Sequence, residues 1–433
     1  MSETLLDGRV LLHCGDCRAV LATLAPDSTD AVVTDPPYAL GFMGKAWDHA
    51  AVAFDPALWV LVHRALKPGA HLIAMGGTRT YHRLACAIED AGFEIRDTIS
   101  WLYGSGFPKS HDVSKGIDRA AGVEREVIGK IDGAGIAYGA PPNATGSNLW
   151  TGLRRSNDAA TDAARQWEGW GTALKPACEL IVLARKPLSE GTVAANVLRW
   201  KTGAINVDGC RVGVDGGTKS TGEPNYKNQV YGNGMGGLQI IDAKTGRWPA
   251  NVVHDGSDEV TAAFPDSQSS EPREPTGSRL RRSDFHMTDG SGGYSDSGSA
   301  ARFFYTAKAD ADDRLGSKHP TVKPLDLMQW LVRLVTPKGG TVLDPFAGTG
   351  TSGEAAWREG ANAVLIEAEA EYQADIRRRM ALALAGPDER SRESVKAKDL
   401  PYDPGPLFAQ RSTWAEMWAK PFDFSQEPQG NPG

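Results

Sequence analysis

The chain has 433 residues, 41% apolar and 23% charged, an ordinary balance for a globular protein with a sizeable core. That length predicts two units, or one large domain with an insertion. The net charge of −7 excludes a histone-like protein that grips nucleic acid by bulk charge, so any such contact needs a local basic surface.

The first ~100 residues alternate strand and helix patterns. Val10 to Cys14 reads as a short strand. Asp30 to Thr34 is a buried strand stopped by two prolines. Leu58, Val62 and Leu66 form one stripe of a helix from Pro56, ended by Lys67-Pro68-Gly69. A strand over His71–Met75 and a helix over Arg79–Ala91 follow. Residues from about 104 to 170 are irregular, with Gly, Asn and Pro clusters and two tryptophans, Trp167 and Trp170. Cys178 to Ala184 returns to a strand. From 187 to 300 the composition turns to Gly, Ser, Asp and Asn, and His286 to Ser299 reads as a mobile loop. The α/β pattern then resumes. Met328, Leu331, Val332 and Val335 lie on one face of a helix over 325–335. A strand at Thr341–Leu343, a helix at Thr351–Arg358, a strand at Ala363–Ile366 and a helix at Glu369–Ala385 complete it. Strands alternating with helices imply a mostly parallel sheet covered on both faces. The chain thus divides into 1–186, with its irregular insertion, 187–300 as a second insertion, 301–386 as the returning half, and a tail at 387–433.

Two stretches carry chemistry. The first is Asp35-Pro36-Pro37-Tyr38, directly after a buried strand. Ligands of open α/β sheets sit beyond the carboxyl ends of strands. The exocyclic amine of a base is a poor nucleophile, because its lone pair is delocalised into the ring. The Asp35 carboxylate and the Pro36 carbonyl can each accept one amine hydrogen, favouring a tetrahedral nitrogen. The proline pair stiffens the backbone that presents these acceptors. Tyr38 offers a ring face for a base swung out of a duplex. The same tetrapeptide would also serve simply to stop a strand in a turn. The second stretch is Asp344-Pro345-Phe346-Ala347-Gly348-Thr349-Gly350-Thr351, again strand, glycine loop and helix. Glu367 ends the next strand, 19 positions after Gly348, where a carboxylate can take both ribose hydroxyls of a nucleoside. The loop lacks the dinucleotide fingerprint and the Gly-Lys-Ser/Thr of a nucleotide triphosphate loop. A nucleoside cofactor without polyphosphate fits it best, and a tight turn with no ligand is the alternative. On physical grounds alone, His319 and Lys323 in His319-Pro320-Thr321-Val322-Lys323-Pro324 carry no assigned role.

Together these three stretches resemble the DNA N-4/N-6 amino-methyltransferases. The tetrapeptide precedes the cofactor loop by about 300 residues, an order similar to the β group of that family, and Trp170 to Ala177 and Arg247 to Asn251 look like stretches common in phage and prophage methylases. The resemblance implies an α/β Rossmann-like methyltransferase fold, a doubly wound seven-stranded sheet carrying an inserted target-recognition region over 187–300. It implies S-adenosylmethionine as cofactor and double-stranded DNA as substrate. It assigns Asp35, Pro36, Pro37 and Tyr38 to the target base. Asp344, Pro345, Phe346, Gly348, Thr349, Gly350, Thr351 and Glu367 fall to the cofactor, with Asp16 near its adenine and Thr321 and Lys323 near its methionine part. Asp at the first tetrapeptide position is the commoner residue in adenine-N6 enzymes, and Ser in cytosine-N4 enzymes. Cytosine-N4 transfer, an RNA substrate and a catalytically silent DNA-binding module remain open. No Pro-Cys dipeptide is present to support cytosine C5 chemistry.

Arg154-Arg155 and Arg279-Leu280-Arg281-Arg282 are the basic clusters of the insertions; Arg279, Arg281 and Arg282 are expected to meet phosphate, with a solvated loop as the alternative. Removing any one arginine that neutralises a phosphate should lower the salt slope of DNA binding by roughly one. Five scattered cysteines form no disulfide framework and fit a reducing cytoplasm, and Cys14 and Cys17 lack a second pair at zinc spacing. Neither a signal peptide nor a membrane span is expected. The sequence leaves a homodimer open.

Overall fold

A computed structural model describes residues 2–39, 51–106, 110–130, 153–213, 246–268, 297–307, 311–317, 319, 321–386 and 388–393. The described residues of 2–106 and 176–391 make one compact unit, and those of 110–175 a second. Arg279, Arg281 and Arg282, residues 286–296 of the expected mobile loop, and all but 388–393 of the expected tail lie outside the described residues.

The first unit opens with β1 (Ser2–Leu5), β2 (Val10–Cys14), α1 (Cys17–Thr23) and β3 (Thr29–Thr34). Next come α2 (Pro56–Ala65), β4 (Leu66–Gly76), α3 (Tyr81–Asp90) and β5 (Glu94–Leu102). The second unit contributes α4 (Val113–Ala120), β6 (Val127–Lys130), β7 (Leu153–Arg155) and the short α5 (Asp162–Arg165). The first unit resumes with β8 (Cys178–Arg185), α6 (Val193–Trp200), β9 (Val252–His254), α7 (Asp258–Ala263), β10 (Asp266–Gln268), β11 (Ser297–Ser299) and β12 (Tyr305–Thr306). It ends in α8 (Leu325–Val335), β13 (Thr341–Asp344), α9 (Thr351–Arg358), β14 (Asn362–Glu367) and α10 (Ala370–Ala385).

One ten-stranded sheet runs in the order β1-β2-β14-β13-β3-β4-β8-β5-β9-β12. The seven strands that the resemblance implies form its centre, β2-β14-β13-β3-β4-β8-β5. The sheet extends past them, with β1 folded back antiparallel at one edge and β9 and β12 added in parallel at the other. Only β1 and β8 run against the rest. The described parts of 187–300 belong to this unit, and the stretch that separates from it is 108–175.

Every residue of β3 is buried, as a strand covered on both faces requires. Successive side chains alternate faces. Ala31 and Val33 join Val10, Leu12, Ile73 and Met75 in a layer shared with Leu327, Met328, Leu331 and Val335 of α8. Val32 points the other way, with Leu72, Ala74 and Leu343, against Leu21, Leu58, Val62 and Leu84 of α1 to α3. The sheet is thus doubly wound, and its C-terminal edge is left for the loops.

The second unit is built around Asp118, buried beside Arg125, whose Nε lies 2.7 Å from it. Asp118 also accepts hydrogen bonds from Ala160 N and Thr161 N. Trp167 and Trp170 meet edge to face at 5.2 Å on its surface.

Among the described residues, no helix is long and apolar enough to cross a membrane.

Candidate active site

Strands β13 and β3 lie side by side and parallel, so Asp344 and Asp35 emerge at the same edge. After β13 the chain crosses to β14 on one side, and after β3 it crosses to β4 on the other. This is the switch point of the sheet, where two outgoing loops diverge and leave a crevice. Thr34, the last residue of β3, donates from Oγ1 to Asp344 Oδ1 at 2.6 Å and ties the two loops together.

Asp344 is the hub of the glycine loop. Besides Thr34, its carboxylate accepts from Phe346 N at 3.0 Å and from the Ser352 hydroxyl. Burial pushes its pKa up to about 6 against these donors. Both of its oxygens are committed, so its work is to shape the loop. Gly350 stands at φ +78° as the cap of α9, and a Cβ there would meet Ile376 and Met380 at 3.1 Å. That conformation and that packing both call for glycine. Pro345, Thr349 and Thr351 are buried, while Phe346 is half-buried against the α1 to α3 layer. Thr349 offers its carbonyl to Arg379 Nε at 2.9 Å.

Glu367 ends β14. Its carboxylate accepts from Gly348 N and from Glu369 N, each at 2.8 Å, and spans the mouth of the loop. Burial raises its pKa to about 7, the two backbone donors opposing the rise. On the neighbouring β2, Cys14 sits opposite Glu367, and Gly15 N donates to the Glu367 carbonyl at 2.9 Å. Asp16 follows, exposed, and caps α1 by accepting from Ala19 N at 3.1 Å. Two carboxylates thus stand on adjacent strand ends around a glycine turn. Such a pair of acceptors fits the ribose hydroxyls and the adenine amine of S-adenosylmethionine.

On the other side of the crevice the tetrapeptide is bound into a polar knot. Lys323 Nζ lies 2.8 Å from Asp35 Oδ2, 3.2 Å from Glu179 Oε2 and 3.2 Å from the Tyr38 hydroxyl. Its three hydrogens therefore have three acceptors. The Tyr38 hydroxyl has one hydrogen to give, to Asp35 Oδ1 at 3.0 Å or Glu179 Oε2 at 3.2 Å. Burial raises the Tyr38 pKa well above the phenol range, and the two carboxylates add to the rise. The Lys323 pKa is also raised. Burial works against its charge, but Asp35 and Glu179 outweigh that cost. The Tyr38 ring lies close over Gly77, where a Cβ would stand 3.0 Å away, and Thr80 Oγ1 donates to the Tyr38 carbonyl at 3.1 Å. Pro36 is buried and Pro37 half-buried.

The contacts of Lys323 serve the tetrapeptide, so its ammonium belongs to that half of the site. Thr321 is exposed, and its carbonyl lies 2.8 Å from His319 Nδ1. The His319 ring packs edge to face on Tyr372 at 4.5 Å, and burial lowers its pKa to about 4. It is neutral at physiological pH and serves as packing. Pro320 lies outside the described residues.

Glu179 is not among the residues to which the sequence points. It reaches the site because β8 runs antiparallel to β4, so its beginning, not its end, meets the edge where the parallel strands finish. A lone carboxylate in the apolar run Cys178 to Ala184 is the one signal of it in the sequence.

A family model described as DNA methylase matches residues 29–121 and 246–378, more than half of the chain. Among curated proteins, the type II methyltransferase M2.DpnII of Streptococcus pneumoniae is 40% identical over 68 residues, 16% of this chain and 25% of that protein. The type II methyltransferase M.BglI of Bacillus subtilis is 46% identical over 59 residues, 14% of this chain and 17% of that protein. The chain thus spans a quarter or less of the length of these two relatives. Among solved structures, PvuII DNA methyltransferase (cytosine-N4-specific) aligns with a TM-score of 0.44 at 13% identity, covering 91% of this chain and 93% of that one. The M1.HpyAVI–SAM complex aligns with a TM-score of 0.36 at 14% identity, covering 86% and 99%.

Proposed function

This chain belongs to the DNA methylase family, and from that premise we propose that it methylates the N6 amine of adenine in double-stranded DNA, with S-adenosylmethionine as donor. The observation that carries the reading is the pairing of two loops at one switch point, Asp35 to Tyr38 on β3 and the glycine loop with Glu367 on β13 and β14. When bound, S-adenosylmethionine supplies an electrophilic methyl group on a sulfonium. Glu367 would hold the ribose hydroxyls and Asp16 would face the adenine end. Asp344 keeps the glycine turn in shape. Asp35 and the Pro36 carbonyl would accept the two hydrogens of the target amine and free its lone pair for attack. Tyr38 stacks on the flipped base. Adenine is preferred because Asp opens the tetrapeptide, the commoner residue in the adenine enzymes it resembles. Cytosine N4 would use the same contacts.

The test is transfer of a labelled methyl group from S-adenosylmethionine to unmethylated DNA, with RNA of the same sequence in parallel. Label on DNA alone supports the reading. Label on RNA alone would replace the substrate, and cofactor binding without transfer would favour a silent DNA-binding role.

Glu367 provides a separate prediction. Its ionised form is the better acceptor for two hydroxyls, and its pKa is raised to about 7. Cofactor affinity, measured by calorimetry, should therefore strengthen as pH rises through 7. Glu367→Gln should weaken binding by roughly 10- to 100-fold, the worth of hydrogen bonds to a charged group, and flatten that pH dependence. The sign for stability is opposite. A carboxyl whose folded pKa is raised favours the fold below the ordinary carboxylate range, and that contribution is lost as pH climbs through 7.

A further inference from the structure

We infer that Glu179 is a positioning residue that takes over Lys323 when Asp35 turns to the target amine. The inference rests on the proposed reading of Asp35 as the group that holds that amine.

In the structure Asp35 is already engaged, with Oδ2 on Lys323 at 2.8 Å and Oδ1 on Tyr38 at 3.0 Å. An incoming amine must compete with an ammonium for the same carboxylate. A buried ammonium that lost its only counter-charge would strongly resist that exchange. Glu179 removes the difficulty. Its Oε2 is 3.2 Å from the same Nζ, and its side chain is 17% exposed, against 6% for Lys323. Lys323 can slide toward Glu179 and keep a carboxylate partner and the Tyr38 hydroxyl, while Asp35 gives its oxygens to the amine. No covalent bond changes and no proton need move. The charge count supports the arrangement. Two carboxylates and one ammonium leave the knot with a net charge of −1, which the partly positive amine hydrogens then meet.

This role predicts a specific pattern of rescue. Glu179→Gln keeps the shape but leaves Asp35 as the sole counter-charge of Lys323. It should lower kcat by roughly 10- to 100-fold, the worth of one charge-assisted hydrogen bond, with the KM for DNA and the cofactor affinity little changed. The double variant Glu179→Gln/Lys323→Met restores the net charge of −1 and removes the competing cation. It should turn over about tenfold faster than Glu179→Gln alone. A merely structural Glu179, or one that receives the proton released in the reaction, gives no such recovery. The experiment compares methyl transfer to unmethylated DNA by the full chain and the two variants, with calorimetric cofactor binding as the check on folding. A double variant no faster than the single one, or Glu179→Gln as fast as the unaltered chain, overturns the role alone. No transfer by the unaltered chain defeats the reading of the site, and this role falls with it.

Discussion

Asp35→Asn is expected to lower the rate of methyl transfer by roughly 10²- to 10³-fold, the range seen when one preorganised polar group is removed from a reacting centre. The substitution keeps the volume and one carbonyl oxygen, but it removes the charge that polarises the amine. It also leaves Glu179 as the only carboxylate against Lys323. Cofactor affinity should be nearly unchanged, because Asp344, Gly348 and Glu367 stand on the other loop. A rate loss with intact cofactor binding separates the two halves of the crevice. A matching loss of both would mean that Asp35 acts through the glycine loop, to which Thr34 connects it.

Glu354→Ala should cost about 3–5 kcal/mol of folding stability, the usual penalty for stranding a buried charge. Glu354 is fully buried and accepts from Arg379 Nη1 at 2.9 Å, while Arg358 and Arg390 bond its other oxygen. Arg379 is itself 1% exposed and also donates to the carbonyls of Thr349 and Asp313. Removing Glu354 leaves that guanidinium buried without its carboxylate, directly behind the glycine loop. Cofactor affinity should fall with stability. The control is Glu124→Ala, which breaks an exposed pair with Arg155 and should cost less than about 1 kcal/mol. Chemical denaturation measures both. Burial pushes the Glu354 pKa up, but Arg379 and Arg390 outweigh it and the pKa is lowered. Its stabilisation is therefore present above the ordinary carboxylate range and lost as the pH falls below it, the reverse of Glu367.

Much of this site is legible in the sequence because its motifs are local. Asp35 to Tyr38 and Asp344 to Thr351 each follow a short buried strand, so strand, turn and chemistry are written in one stretch. Glu367 is readable by its spacing from Gly348. Helix α8 announces itself through Met328, Leu331, Val332 and Val335, all buried as its period requires. What escapes is decided by partners far away in the chain. Glu179 matters because β8 is inserted backwards between β4 and β5, a fact of topology that no local pattern carries. Lys323 finds its role only when Asp35, 288 positions earlier, is brought to it. Strand β5 reads as mixed polar and apolar, and becomes a strand through its ladder with β8 and its pairing with β9. The strands that extend the sheet, β1, β9 and β12, are two to four residues long, too short to show a period.

The most direct measurement is the identity of the modified base. Unmethylated DNA would be incubated with the full chain and S-adenosylmethionine, digested to nucleosides and read by mass spectrometry, with Asp35→Ala in parallel. The account predicts N6-methyladenine that disappears with Asp35→Ala. N4-methylcytosine would keep the arrangement of Asp35, Pro36 and Tyr38 and change the base. A modified base made equally well by Asp35→Ala would contradict the account at its centre.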